Sequence, residues 1–105
     1  MKRSSSVTSA SCADKLRVLS DPTRLSVMGI LLSGSKKVGE INAELGIEQS
    51  LLSHHLKVLR DAGLVSAVRD GKAVRYSLTA LVGEGRRKKA LDLGCCRLSF
   101  EEIAR

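Results

Sequence analysis

The chain has 105 residues, and its 18 Lys and Arg outnumber 11 Asp and Glu to leave a net charge of +7. One domain fits that length, and the charge points to a polyanionic partner, most simply nucleic acid. Aromatic residues are only 2% of the chain, so the core must be Leu, Val, Ile and Ala, which suits packed helices. No run of about eighteen apolar residues occurs, which predicts no membrane span.

The first segment, "MKRSSSVTSASC", is basic and Ser-rich without an apolar centre. It reads as a flexible arm over residues 1–10 and not as a secretory signal. A cytoplasmic protein with reduced thiols is expected from this, and three cysteines cannot all pair within one chain. Ser11 is placed to cap a helix through "CADKLRVLS", with Leu16 and Leu19 on one face. In "DPTRL", Asp21 suits an N-cap and Pro22 the first helical position. Leu25, Met28 and Leu32 then give a second helix one apolar stripe, and Gly34 ends it.

"KKVGEINAELG" carries Val38, Ile41 and Leu45 at helical spacing and stops at Gly46. After a short turn, "QSLLSHHLKVLRDAG" carries Leu52, Leu56 and Leu59 at the same spacing and stops at Gly63. Two short helices joined this way form a helix-turn-helix. Gln49, Ser50, Ser53, His54 and Lys57 share the outer side of the second helix, and none is acidic. An ordinary solvated helix face is usually mixed in charge. A face of hydrogen-bonding side chains without acids is what base edges and phosphates require of a recognition helix.

"LVSAVRDGKAVRYSL" predicts a hairpin with Val65 and Ala67 alternating on one strand and Val74, Tyr76 and Leu78 on the other. Asp70-Gly71 marks the tight turn. Arg69, Lys72 and Arg75 cluster near its tip, as a wing that reaches phosphates would need. From Thr79 the chain is compatible with a last helix, with Leu81, Val82, Ala90, Leu91 and Leu93 as its apolar side, weakened by Gly83 and Gly85. Leftover apolar surface there suits a two-fold partner. Ser99 and Glu102 fit a capping box for a short final helix.

On "LSDPTRLSVMGILLSG", "VGEINAELGIEQSLLSHHLKVLRDAGLV" and "RDGKAVRYSL", the chain resembles the small arsenic- and metal-responsive repressors of the ArsR/SmtB type. The match covers most of residues 14 to 78. The resemblance implies a mainly α fold with a β-hairpin wing, a homodimeric winged helix-turn-helix on double-stranded operator DNA, released by an inducer. It also implies dimerisation through the first and last helices. On that reading residues 11–94 are the DNA-binding domain and 95–105 a tail that starts with the cysteine pair. The family's Cys-x-Cys pair before the recognition helix is absent, since Val38 stands in a thiol-free "KKVGEINAEL". Its Asp, His and Glu zinc set on the last helix is also absent, because the only histidines are His54 and His55.

The expected sensing site is therefore Cys12, Cys95 and Cys96, the only thiols. Thiolates select soft ions. Three without a fourth ligand suit As(III) or Sb(III) as the inducer, whereas structural zinc takes four ligands. Cadmium and lead remain compatible. The same thiols would serve a redox or persulfide sensor in which Cys12 bonds to Cys95 or Cys96, or they are small core residues and the regulator senses nothing. No catalytic cofactor is implied. Thiol-plus-His catalysis is disfavoured because both histidines lie on the recognition helix, and no Gly-rich phosphate loop or acid dyad is present.

Overall fold

Asp21 starts its helix through its side chain: Oδ1 accepts the backbone N–H groups of Thr23 at 2.8 Å and Arg24 at 3.1 Å. This is the N-cap expected at that position, followed by Pro at the first turn. The computed structural model describes residues 12–79 and 90–100. Ser11, the 1–10 arm, Leu81, Val82 and Glu102 lie outside the described residues. Within them run α1 (12–19), α2 (Pro22–Leu31), β1 (Lys36–Lys37), α3 (Val38–Leu45), α4 (Gln49–Asp61), β2 (Val65–Asp70), β3 (Ala73–Leu78), β4 (Ala90–Asp92) and β5 (Arg97–Ser99).

The four helices close on one core of Leu19, Val27, Met28, Leu31, Ile41, Leu52, Leu56 and Leu59, extended by Leu64, Val65, Leu91 and Leu93. The spacing expected for α4 holds, because all three of its predicted apolar positions are buried. The stripe of α2 is rotated: Val27, Met28 and Leu31 are buried, while Leu25 and Leu32 only pack against the core's edge. In α1, Leu19 is buried but Leu16 is exposed. The face that turns inward there instead carries Cys12, Lys15 and Leu19, three and four residues apart.

Gly46 adopts φ 63° and caps α3, its N–H donating to Asn42 O. Asn42 then clamps the turn of the helix-turn-helix. Its Nδ2 donates to Ile47 O and its Oδ1 accepts Ile47 N–H, both at 2.9 Å. The hairpin β2–β3 runs in the register Val65↔Leu78 to Asp70↔Ala73. Gly71 and Lys72 are thus the two loop residues. A positive φ of 70° at Gly71 alone is the pattern of a type II′ turn, whose twist matches the strands. Lys36 and Lys37, expected at the start of a helix, form β1 against Tyr76 and Arg75 and make the sheet three-stranded, in the order β1-β3-β2.

The expected terminal helix does not reach the cysteines. Ala90, Leu91 and Asp92 form β4, which pairs with β5 as Ala90↔Ser99, Leu91↔Leu98 and Asp92↔Arg97. Ser99 is a strand residue, not a helix cap. The physical reason lies in the tip: Gly94 takes φ 91°, its N–H donates to Asp92 Oδ1, and Leu93 N–H donates to Cys96 O. This four-residue loop reverses the chain and turns Leu91 and Leu93 into the core.

Candidate nucleic-acid interface and thiol site

Burying Leu52, Leu56 and Leu59 fixes which way α4 faces, and Gln49, Ser50, Ser53, His54 and Lys57 are left exposed together. Two of them already have partners. Ser50 Oγ donates to Glu48 Oε1 at 2.6 Å, and this hydroxyl, more than the backbone N–H groups of Leu51 and Ser50, holds the Glu48 carboxyl below its usual range. Lys57 Nζ meets Asp61 Oδ2 at 2.8 Å one turn on. That puts an acid on the outer face which the five-residue pattern did not include. An exposed pair of this kind is worth little and exchanges readily for a stronger anion.

His55 does not belong to that outer face. It is buried, and its Nδ1 accepts a hydrogen bond from Arg24 Nε at 3.0 Å. Arg24 Nη1 donates in turn to Val18 O at 3.2 Å. One guanidinium therefore ties α4 to α2 and to the end of α1. Sequence reasoning missed this pair, since a histidine next to an exposed one carries no mark of its burial except its offset of three and four from Leu52 and Leu59.

On the wing, Arg69 and Lys72 are exposed at the hairpin's end. Arg75 is half-buried and already bonded. It pairs across from Val68, its Nε donates to Asp70 Oδ2 at 3.1 Å, and its Nη1 lies 3.4 Å from both Ser35 O and Ser35 Oγ. Arg75 thus fastens the wing to the loop before β1.

The thiols come together from 83 residues apart. Cys12 lies in α1, and Cys95 and Cys96 lie at the tip of the β4–β5 hairpin. Cys12 and Cys95 are joined by a disulfide with Cα atoms 6.0 Å apart. Cys96 is free and half-buried, with its Sγ 3.6 Å from Cys12 Sγ and 3.9 Å from Cys95 Sγ. All three sulfurs lie within 4.8 Å of one another. Lys15, one turn along α1 from Cys12, reaches Leu93 O with its Nζ at 3.4 Å and holds the hairpin tip to the helix. As a donor set, three soft sulfurs at this separation fit a soft thiophilic ion once the disulfide is reduced, and a disulfide with an adjacent thiol when it is not.

Residues 21–67 match the family model described as bacterial regulatory protein, arsR family. Among the curated relatives, a probable mercury resistance operon repressor of Streptomyces lividans is 42% identical over 80 residues, 76% of this chain and 61% of that protein. The chain thus spans less than two thirds of that relative's length. Among solved structures, reduced HlyU from Vibrio cholerae superposes with a TM-score of 0.70 at 32% identity, over 74% of this chain and 82% of that one. The homodimeric winged helix-turn-helix DNA-binding domain Mb0332 from Mycobacterium bovis superposes with a TM-score of 0.67 at 25% identity, over 76% and 73%. Four helices with a β-hairpin wing in this order make a winged helix-turn-helix. No helix among the described residues is long and apolar enough to cross a membrane.

Proposed function

This chain belongs to the arsR family of bacterial regulatory proteins, a family of transcriptional regulators and not of enzymes, and from that premise we propose a homodimeric, cytoplasmic repressor that releases operator DNA when a soft ion binds its cysteines. The ligands are the thiolates of Cys12, Cys95 and Cys96, and the inducer is As(III) or Sb(III). The observation that carries this reading is the convergence of three sulfurs within 4.8 Å from two distant segments. Three thiolates, with no fourth ligand beside them among the described residues, match the pyramidal coordination of a trivalent metalloid. The name of the mercury-resistance relative makes Hg(II) the competing soft ion. The homodimeric neighbour and the exposed Leu16 on α1 favour a two-fold partner against α1.

DNA is read by Gln49, Ser50, Ser53 and His54 at base edges, with Lys57, Arg69 and Lys72 on phosphates and Arg75 bracing the wing behind them. An ion releases DNA only by binding the DNA-free arrangement more tightly than the DNA-bound one. Tying α1 to the hairpin shifts α1, and Arg24 connects the end of α1 to His55 on the recognition helix.

A second reading is favoured by the Cys12–Cys95 disulfide: oxidation, not metal, is the signal. The two are mutually exclusive in any one molecule, because the disulfide removes two of the three ligands. Fluorescence anisotropy of the reduced protein on its selected operator, titrated separately with arsenite, antimonite, Hg(II), Zn(II) and a polysulfide, tests both. Release by arsenite or antimonite that Cys12→Ser and Cys95→Ser each abolish, with DNA affinity retained, is expected. Release only by oxidant or polysulfide, reversed by reductant, would replace the metalloid reading with the redox one. Unaltered affinity under every addition would leave a regulator without a sensor.

A further inference from the structure

Large apolar side chains are exposed at three places among the described residues: Leu16 on α1, Leu51 on α4 and Val68 on the wing. Leu51 stands apart from the other two because of where it sits. It is 45% exposed and lies in the first turn of α4, flanked by the exposed Ser50 and His54. Neither core packing nor capping accounts for it. Leu52 beside it is fully buried and does the packing. The positions that staple a helix's entry, the residue before the cap and the fourth helical one, are Ile47, packed against the core, and Leu52, buried in it.

Leu51 is the third helical residue after the cap Glu48, the position where a capping-box Glu or Gln reaches back to the cap's N–H. The same chain uses that device one helix earlier. In α3 the equivalent residue is Glu40, and its Oε1 accepts Lys37 N–H at 2.7 Å. In α4 the acid is replaced by a leucine, and no side-chain cap bond forms. A solvent-facing leucine that neither caps nor packs, among side chains suited to base edges, needs an apolar partner in the groove. The major-groove edges of the four bases offer one apolar group, the 5-methyl of thymine.

We propose that Leu51 is a specificity-determining residue that packs on a thymine methyl in each operator half-site. The inference rests on the DNA-reading role given above to α4. It adds thymine selection by contact to a face otherwise made of hydrogen bonds. Leu51 also leaves the first turn of α4 without a carboxylate at its third residue, where one would face the phosphates.

The test needs the operator, which binding-site selection from random duplexes supplies for the full chain. Each thymine of the selected half-site is then replaced by deoxyuridine, which removes the methyl and nothing else. Wild-type affinity should fall about four-fold at one position, the worth of one buried methyl group. Leu51→Ala, which removes the contact from both half-sites, should lose about the square of that factor, about sixteen-fold, on the thymine duplex and become indifferent to uridine there. Leu51→Met, which keeps an apolar end, should retain the discrimination. Circular dichroism of both variants separates this from unfolding. A Leu51→Ala protein that is folded and still prefers thymine to uridine at every position would overturn the inference while leaving the DNA-reading function standing. A protein that selects no consensus at all would overturn that function, and this inference with it.

Discussion

The two ends of the molecule are built by different means. The helix-turn-helix, α3 to α4, consists of local features: apolar residues every three or four positions, a glycine with positive φ at the close of α3, and the side chain of Asn42 folded back on the turn five residues on. The thiol end consists of a contact between residues 83 apart, Cys12 in α1 and Cys95 at a hairpin tip. The first kind of structure forms from neighbouring residues and presents one fixed face. The second exists only when distant segments dock, so a ligand or an oxidant at the joint acts on how those segments sit. In the repressor proposed above, that division suits the roles: a locally built reading head and a joint between distant segments for the inducer.

The largest expected effects test whether the thiol end is part of the core or an appendage to it. Leu59, fully buried in α4, and Leu91, buried in β4, pack into the same cluster. Each Leu→Ala change should cost about 2–5 kcal/mol in urea denaturation. If Leu91→Ala costs under about 0.5 kcal/mol while Leu59→Ala keeps its full effect, the hairpin does not belong to the folding unit.

Reduction of the Cys12–Cys95 bond comes next. The crosslink spans 83 positions, and its loss should lower stability by about 2–4 kcal/mol through the unfolded chain's regained freedom. Denaturation with and without reductant measures this, and Cys12→Ser should remove the difference. Arsenite added to the reduced protein should raise stability with the logarithm of its concentration above the dissociation constant. A stability indifferent to reductant would mean that the joint contributes nothing to the fold.

A smaller effect belongs to the helix entry between the two ends. Asp21→Ala should cost about 1 kcal/mol, the ordinary worth of an N-cap. The Asp21 carboxyl is held below its usual value of 3.8, first by the N–H of Arg24 and also by that of Thr23 and by the nearby Arg24 guanidinium. A depressed carboxyl contributes stability at pH above its unfolded value and loses it as pH falls through the folded one. The gap between wild type and Asp21→Ala should therefore be full near neutrality and close below about pH 4. A gap that persists unchanged at pH 2 would show that the cap acts by something other than its charge.

The smallest effect distinguishes two of the wing's three cations, Lys72 and Arg75. Lys72→Ala should weaken DNA binding evenly across sequences and reduce the salt slope by about one per subunit, with stability unchanged. Arg75→Ala should alter the salt slope less and stability more, since its guanidinium is bonded to Asp70 and Ser35. Equal slopes for both variants would return Arg75 to the wing's phosphate-facing cations.

Much of the reading head was legible before any coordinates. Asp21-Pro22, the Val38–Ile41–Leu45 and Leu52–Leu56–Leu59 spacings and Asp70-Gly71 each mark a local event, and local events leave their mark in a few consecutive residues. His55 escaped because it is polar on a buried face, and its partner Arg24 is 31 residues away. Arg75 was grouped with the wing tip because it stands three residues from Lys72, and nothing local records that Asp70 and Ser35 already hold its guanidinium.

The cysteine end shows where sequence stops. Composition alone established that Cys12, Cys95 and Cys96 are the only thiols and thus the only candidate thiolate ligands. Helical propensity, weighed locally, assigned Ala90, Leu91 and Leu93 to a helix. Tertiary structure decided otherwise, because a glycine at positive φ and strand pairing between Leu91 and Leu98 bury Leu91 and Leu93 together against α1 and the core. Periodicity settles what neighbours along the chain can do. Which sulfur meets which depends on the docking of two segments whose separation no local pattern records.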